Sequence, residues 1–188
     1  MLNMINGNVN NKKEVSNYDK EIYHKIRKNV KDFIKRQSEY LDSHELNLLD
    51  IAPQVHEGAK EFFINSKIST LDIDQTSSAT YIADLCNKNE SIIPPDIFDV
   101  VVCTEVLEHT LDPFSASNEM HRILKKGGKL LLSTPFDFRI HGPLPDCWRF
   151  TEHGLRILLK QYSSVEIYPL ENDDRFLMPY HYTTVATK

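Results

Sequence analysis

Side chains able to do chemistry gather at four places in this chain of 188 residues. One is Thr104-Glu105-Val106-Leu107-Glu108-His109, an acidic turn directly after the apolar run Ile97 to Cys103. Glu108 and His109 there could bind a substrate, or could serve the turn itself, Glu108 ahead of a helix and His109 as a hydrogen-bonding partner of the loop. A second is the loop Phe136 to Thr151, which carries Phe136, His141, Asp146, Trp148, Arg149 and Thr151. A histidine titrates near 6.5 and can take the proton of a hydroxyl nucleophile, which makes His141 the candidate catalytic base. Phe136, Trp148 and Arg149 are the candidate substrate contacts around it. Loop architecture accounts for part of the same composition: Asp146 and Arg149 can pair, and Thr151 can cap a helix starting at Glu152.

The third place is Leu71-Asp72-Ile73-Asp74, followed by Ala83-Asp84-Leu85. An aspartate at a strand end accepts a pair of hydroxyls through charge-assisted hydrogen bonds. Asp72 or, if the strand runs further, Asp74 could do so; a solvated turn is the plainer use of either. The fourth is Asp50-Ile51-Ala52-Pro53-Gln54-Val55-His56-Glu57-Gly58, where a turn could bring backbone close to a nucleotide. Pro53 lacks an N–H and side chains crowd that turn. His56-Glu57 has a metal-ligating flavour, but Lys60 stands where a second histidine is needed, so no metal site is expected there.

The elements that must position these residues follow from hydrophobic period and punctuation. Ile22, Ile26, Val30, Phe33 and Ile34 recur at helical spacing between Tyr18 and Leu41, giving a helix that packs on the sheet or lies over a ligand. Leu46–Ile51, Ile68–Ile73, Tyr81–Leu85, Ile97–Cys103 and Lys129–Ser133 read as strands. Helices are expected over Val55–Phe63, from Pro113 to a stop at Lys125-Lys126-Gly127-Gly128, and over Glu152–Tyr162. Ser164–Leu170 and Tyr182–Ala186 alternate like an antiparallel edge pair. Only Asp74 to Thr80 separates the second strand from the third, too short for the usual crossover helix. Ligands of such parallel α/β sheets sit beyond the carboxyl ends of the strands, where the acidic turn and the Phe136–Thr151 loop fall.

Composition narrows the partners. With 22 basic against 27 acidic residues the net charge is −5, which weighs against a nucleic-acid partner. Three cysteines, Cys86, Cys103 and Cys147, lack disulfide or metal spacing and fit a reducing cytoplasm; Cys103 reads as a small core residue. No apolar stretch reaches the length of a membrane span. Residues 1–17, rich in Asn and Lys, are expected to form a flexible tail ahead of a single domain over 18–188.

The wording of the central stretch, FDVVVCTEVLEHTLDPF followed by EMHRILKKGGKLLLSTPF, resembles the second half of a class I S-adenosylmethionine-dependent methyltransferase, and DCWRFT resembles a bacterial subgroup acting on sugars and small metabolites. The resemblance covers roughly residues 46 to 188. It implies a Rossmann-like, doubly wound α/β fold with a mostly parallel seven-stranded sheet and an antiparallel edge hairpin, trimmed at the short connection between the second and third strands. It implies S-adenosylmethionine as cofactor, held by Asp50, Ala52, Gly58, Asp72, Asp84, Leu85, Cys103 and Thr104. Asp72 would take the ribose, Asp84 and Leu85 the adenine. His109, Phe136, Trp148 and Arg149 would meet a small-molecule or sugar-like acceptor, with His141 above the methyl donor and no metal. An oligomer is compatible with the sequence. The family's glycine-rich pattern is departed from at Ala52 and Pro53, which motivates an alternative: an inactive methyltransferase-like binding domain. A nicotinamide dehydrogenase is disfavoured, since no G-x-G-x-x-G follows the first strand.

Overall fold

The computed structural model describes residues 15–54 and 57–188. Most of the expected tail lies outside these residues; Ser16 and Asn17, within them, belong to the first helix. Ser16 caps α1 (Asn17–Leu41) by accepting the Asp19 N–H at 3.0 Å. The stripe Ile22, Ile26, Val30, Phe33 and Ile34 is buried as its spacing requires. Asp42 ends the helix, and its carboxylate takes donors from Asn65 and Ser66, which fixes the helix end beside the start of the second strand.

Seven strands follow: β1 (Asn47–Ile51), β2 (Lys67–Asp72), β3 (Tyr81–Ile82), β4 (Phe98–Thr104), β5 (Leu124–Pro135), β6 (Ser164–Leu170) and β7 (His181–Thr187). They form one sheet in the order β3-β2-β1-β4-β5-β7-β6. The first five are parallel, while β7 runs antiparallel to both β5 and β6. Both faces are covered, so the central strands are apolar on both sides. Leu49, Ile51, Val101, Cys103, Leu130 and Leu132 enter the core under α2 (Pro113–Ile123) and α3 (Glu152–Leu158). Their alternates Leu48, Val100, Val102 and Leu131 enter the core under α1. This is the doubly wound, Rossmann-like fold that the resemblance implied. No helix among the described residues is long and apolar enough to cross a membrane.

Several expected boundaries shift, each for a local reason. The helix expected over Val55–Phe63 is, in its described part, a single 3₁₀ turn, Gly58–Glu61. Gly58 has φ +56°, and the Asp50 carboxylate captures the Ala59 N–H at 2.8 Å, so the segment is tied down before a helix can propagate. β3 ends at Ile82 because the chain turns at Asp84, whose Oδ1 accepts the Cys86 N–H. α2 ends at Ile123, ahead of the expected lysine–glycine stop. Residues 125–128 instead form a bulge within β5, where Gly127 sits at φ +80° and a Cβ at Gly128 would lie 2.8 Å from the Lys125 carbonyl. α3 stops at Leu158, short of the expected Tyr162, although Leu159 and Tyr162 beyond it are buried. As expected, no helix separates β2 from β3.

Candidate active site

A cavity of about 460 Å³ opens beyond the carboxyl ends of β1, β2, β3 and β4. Strand order reverses between β1 and β4, so this is the crevice where open α/β sheets bind ligands. Its volume lies within the roughly 300–1,000 Å³ of ligand pockets. α1 contributes Tyr23, Ile26 and Arg27, so the helix does both jobs open to it: it packs on the sheet and walls the cavity.

At one end stand the residues expected to meet a nucleoside. Ala52, Asp72, Asp84, Leu85 and Thr104 all line the cavity. One Asp72 oxygen accepts the Asp74 N–H at 2.9 Å, and the other has no protein donor among the described residues. Asp74 lies outside the cavity and is occupied with the Thr76 N–H and hydroxyl. The turn after β1 keeps a glycine-like path without glycine: Ala52 has φ +50° and Gln54 φ +52°.

Asp50, Gly58 and Cys103 are placed behind this wall and not in it. Cys103 is fully buried, and its burial pushes the thiol far above the usual range. Asp50 is buried against the 3₁₀ turn, and a Cβ on Gly58 would come within 2.3 Å of its Oδ2. Burial pushes the Asp50 carboxyl from 3.8 to about 6, opposed by the Ala59 N–H. A carboxyl raised in this way stabilises the fold fully only below its unfolded value, and that contribution is lost as pH rises through 6. Charged Asp50 therefore costs the fold about 3 kcal/mol at neutral pH. Stability should rise as pH falls from about 7 to about 4, and Asp50→Asn should flatten this rise in denaturant unfolding. Parallel pH dependences for the two proteins would remove Asp50 as its source.

The other end of the cavity is acidic and imidazole-bearing. Glu105, at φ +55°, turns its carboxylate to Ser133 Oγ (2.8 Å) and to Nε2 of the buried His181 (2.7 Å). Burial alone would raise Glu105, but His181 and the Ser133 hydroxyl outweigh it and hold the carboxyl below its usual value. Glu108 is wholly buried in the 3₁₀ turn Leu107–His109. Burial first, then the charge of Glu105, push its carboxyl up to about 7. Its Oε1 lies 3.6 Å from His141 Nε2 and 3.7 Å from His109 Nε2. In turn Glu108 raises His141 above the ordinary histidine value. His109 Nδ1 sits 2.9 Å from the Pro145 carbonyl, and His141 Nδ1 lies 3.0 Å from Asp146 Oδ2. His109 and His141 both line the cavity.

Phe136, Trp148 and Arg149 do not line it. Phe136 packs edge-on against Tyr182, and Trp148 stacks on Phe150 while its Nε1–H donates to the Thr110 carbonyl at 2.8 Å. Arg149 forms a two-pronged pair with Asp146 (2.5 and 2.8 Å) and also donates to the Phe138 and Arg139 carbonyls. Thr151 caps α3 by accepting the Gly154 N–H. The architectural account of the D-x-W-R-F-T residues thus describes their contacts. Burial opposes ionisation of Asp146, but Arg149 overrides it and holds the carboxyl down at about 2. Arg149→Met should cost on the order of 3 kcal/mol in denaturant unfolding, because the shielded Asp146 side chain is left unpaired. Asp146→Asn on that background should recover most of the loss; strictly additive losses would contradict the pairing.

Sequence reasoning missed Glu105, Phe138 and the Gly142–Pro145 segment as cavity walls, and did not single out Tyr23 and Arg27 on the first helix. The one available signal for Glu105 was its place directly after β4. The expectation of no metal at His56-Glu57 falls partly outside the described residues, since His56 is not among them.

Comparison with known proteins bears on the whole arrangement. Residues 21–167 match a methyltransferase domain family. Over 40 residues the chain is 52% identical to a ubiquinone biosynthesis O-methyltransferase of Pseudomonas paraeruginosa, a match covering 21% of this chain. That match spans only 17% of the relative's length. Among solved structures, a SAM dependent methyltransferase from Archaeoglobus fulgidus aligns with 86% of this chain and 94% of its own, at TM-score 0.64 and 17% identity. The CurJ carbon methyltransferase aligns with 86% of this chain and 55% of its own, at TM-score 0.65 and 14% identity. At such identities these two report the fold.

Proposed function

The chain belongs to the methyltransferase domain family, and from that membership we propose that it moves the methyl group of S-adenosylmethionine to a small-molecule or sugar-like acceptor, at oxygen or nitrogen. One observation carries this reading: a single cavity joins Asp72, Asp84 and Leu85 at one end to His109 and His141 at the other. The donor set suits the cofactor. Asp72 offers an unengaged carboxylate oxygen to the ribose, Asp84 and Leu85 offer an acceptor and an apolar face to the adenine, and Glu105 stays charged beside a cationic ligand. S-adenosylmethionine, when bound, supplies an electrophilic methyl group. The chain's own residues then align the acceptor, exclude water and remove its proton.

His141 is the base in this reading. Its Nε2 faces Glu108, Asp146 stands behind Nδ1, and the ring opens onto the cavity. A hydroxyl acceptor needs such a base, whereas an amine that binds neutral needs little help. Isothermal titration of the purified chain with S-adenosylmethionine and its demethylated product tests the cofactor assignment. Binding of either is expected, and binding of neither would end the proposal. Screening sugars and phenols for production of S-adenosylhomocysteine then identifies the acceptor class.

A further inference from the structure

We propose that Glu108, His109 and His141 form a site for a divalent cation of the zinc type at the acceptor end of the cavity. One ligand atom from each residue lies within 4.8 Å of the other two. Tetrahedral zinc holds nitrogen and carboxylate ligands at about 2.0–2.2 Å, which places the ligands roughly 3.3–3.5 Å from one another. Glu108 Oε1 is 3.7 Å from His109 Nε2 and 3.6 Å from His141 Nε2, so two edges of the tetrahedron are nearly at length. Those same distances are too long for hydrogen bonds. The third edge, between the imidazoles, lies within 4.8 Å and would close with a turn of the His141 side chain.

The carboxylate supplies an independent observation. Glu108 is 0% exposed, and neither of its oxygens has a hydrogen-bond partner among the described residues. A buried carboxylate without partners is strongly unfavourable, and a cation between it and two imidazoles removes that penalty. The supporting groups are those of a metal site as well. Pro145 O holds the His109 hydrogen on Nδ1, leaving the Nε2 lone pair towards Glu108. Asp146 Oδ2 lies 3.0 Å from His141 Nδ1 without forming a hydrogen bond to it, and Arg149 pairs with Asp146. Two imidazoles and one carboxylate favour zinc, cobalt or nickel over magnesium and calcium, which prefer oxygen. Three protein ligands leave a position open, and His109 and His141 face the cavity, so that position is available to an acceptor oxygen. That use of the ion rests on the methyl-transfer reading; the binding of the ion does not.

The test uses the full chain, stripped with a chelator and titrated with zinc chloride in competition with a chromophoric chelator. One zinc per chain is expected. Glu108→Gln and His109→Ala should each weaken binding by at least about 100-fold, more than the 10–100-fold typical of supporting residues. Cys147→Ser should leave it unchanged, which separates the site from the exposed Cys147 thiol. If Glu108→Gln does not fold, the visible spectrum of the cobalt-loaded wild type decides: four-coordinate nitrogen and oxygen ligation supports the site, and thiolate or six-coordinate ligation overturns it. Less than one zinc per chain, unchanged affinity in both ligand variants, or a preference for magnesium would also overturn it. S-adenosylmethionine affinity measured on the same samples keeps this outcome separate from that of the methyltransferase proposal.

Discussion

Replacing His141 with alanine is expected to slow methyl transfer by about 10²–10⁴-fold, the usual contribution of a positioned base, while S-adenosylmethionine affinity stays within about twofold. The separation follows from distance along the cavity: Asp72, Asp84 and Leu85 form one end and the imidazole pair the other. The variant also removes little architecture, because Asp146 keeps both the His141 backbone N–H at 2.9 Å and the Arg149 pair. The pH dependence has a definite sign. The base works in its neutral form, and Glu108 holds its pKa above the ordinary histidine value of 6.5. Wild-type kcat should therefore rise with pH through a point above 6.5, and the residual rate of the variant should lack that rise. Partial rescue by added imidazole would mark a proton-transfer role. The rise with pH belongs to the metal-free enzyme, since a cation bound at Nε2 would occupy the lone pair that takes the proton. An unchanged kcat, measured with the acceptor found by screening, would remove His141 from the chemistry.

The sheet was legible because its signals were local and redundant. Short apolar runs marked β1, β2, β4 and β5, and alternation marked the edge pair β6 and β7. What was not legible was where helices failed to form. Val55–Phe63 looked helical by period, yet the Asp50 carboxylate and the positive φ of Gly58 fix a single 3₁₀ turn there. That competition pairs residues nine apart in sequence, beyond the reach of a periodicity window. Likewise Gly127 and Gly128 suggested a helix stop, but they serve the bulge opposite Asp99, which only the pairing of β5 with β4 demands.

The site was half legible for a related reason. Residues at or just after strand ends reach the cavity by topology, so the positions that the resemblance implied for Asp72, Asp84 and Thr104 fall on its wall. Loop residues could not, because their direction depends on who pairs with whom. Trp148 and Arg149 have the composition of a binding loop, yet their hydrogen bonds go to Thr110 O, Asp146 and neighbouring carbonyls. His109 and His141 lie 32 positions apart in the chain by their numbering, and their rings meet at 4.9 Å only because the Pro145 carbonyl binds His109 and the Cys147 N–H binds the Glu108 carbonyl. A cluster assembled by two loops leaves no spacing motif. The burial of Glu108, which gives that cluster its character, is equally a property of packing.

Asp72→Ala is expected to weaken S-adenosylmethionine binding by about 1–3 kcal/mol, or roughly 5- to 150-fold in Kd, the range for lost hydrogen bonds to a charged acceptor. Asp74→Ala should change it little, since that carboxylate is spent on Thr76 and stands outside the cavity. The contrast matters because the two aspartates stand two residues apart at and just beyond the end of β2, and only the resemblance set Asp72 ahead of Asp74 for the ribose. Only Asp72 combines a place on the cavity wall with an oxygen free of protein donors among the described residues. Asp72→Asn keeps one acceptor oxygen and should fall between wild type and alanine. Asp72 also receives the Asp74 N–H, so part of any loss could come from a loosened turn; thermal unfolding of the same variants separates the two, because a turn defect lowers stability without ligand and a binding defect lowers only the shift that ligand produces. Equal affinities for wild type and Asp72→Ala would place the ribose elsewhere on the wall, with Asp84 the remaining carboxylate at that end of the cavity.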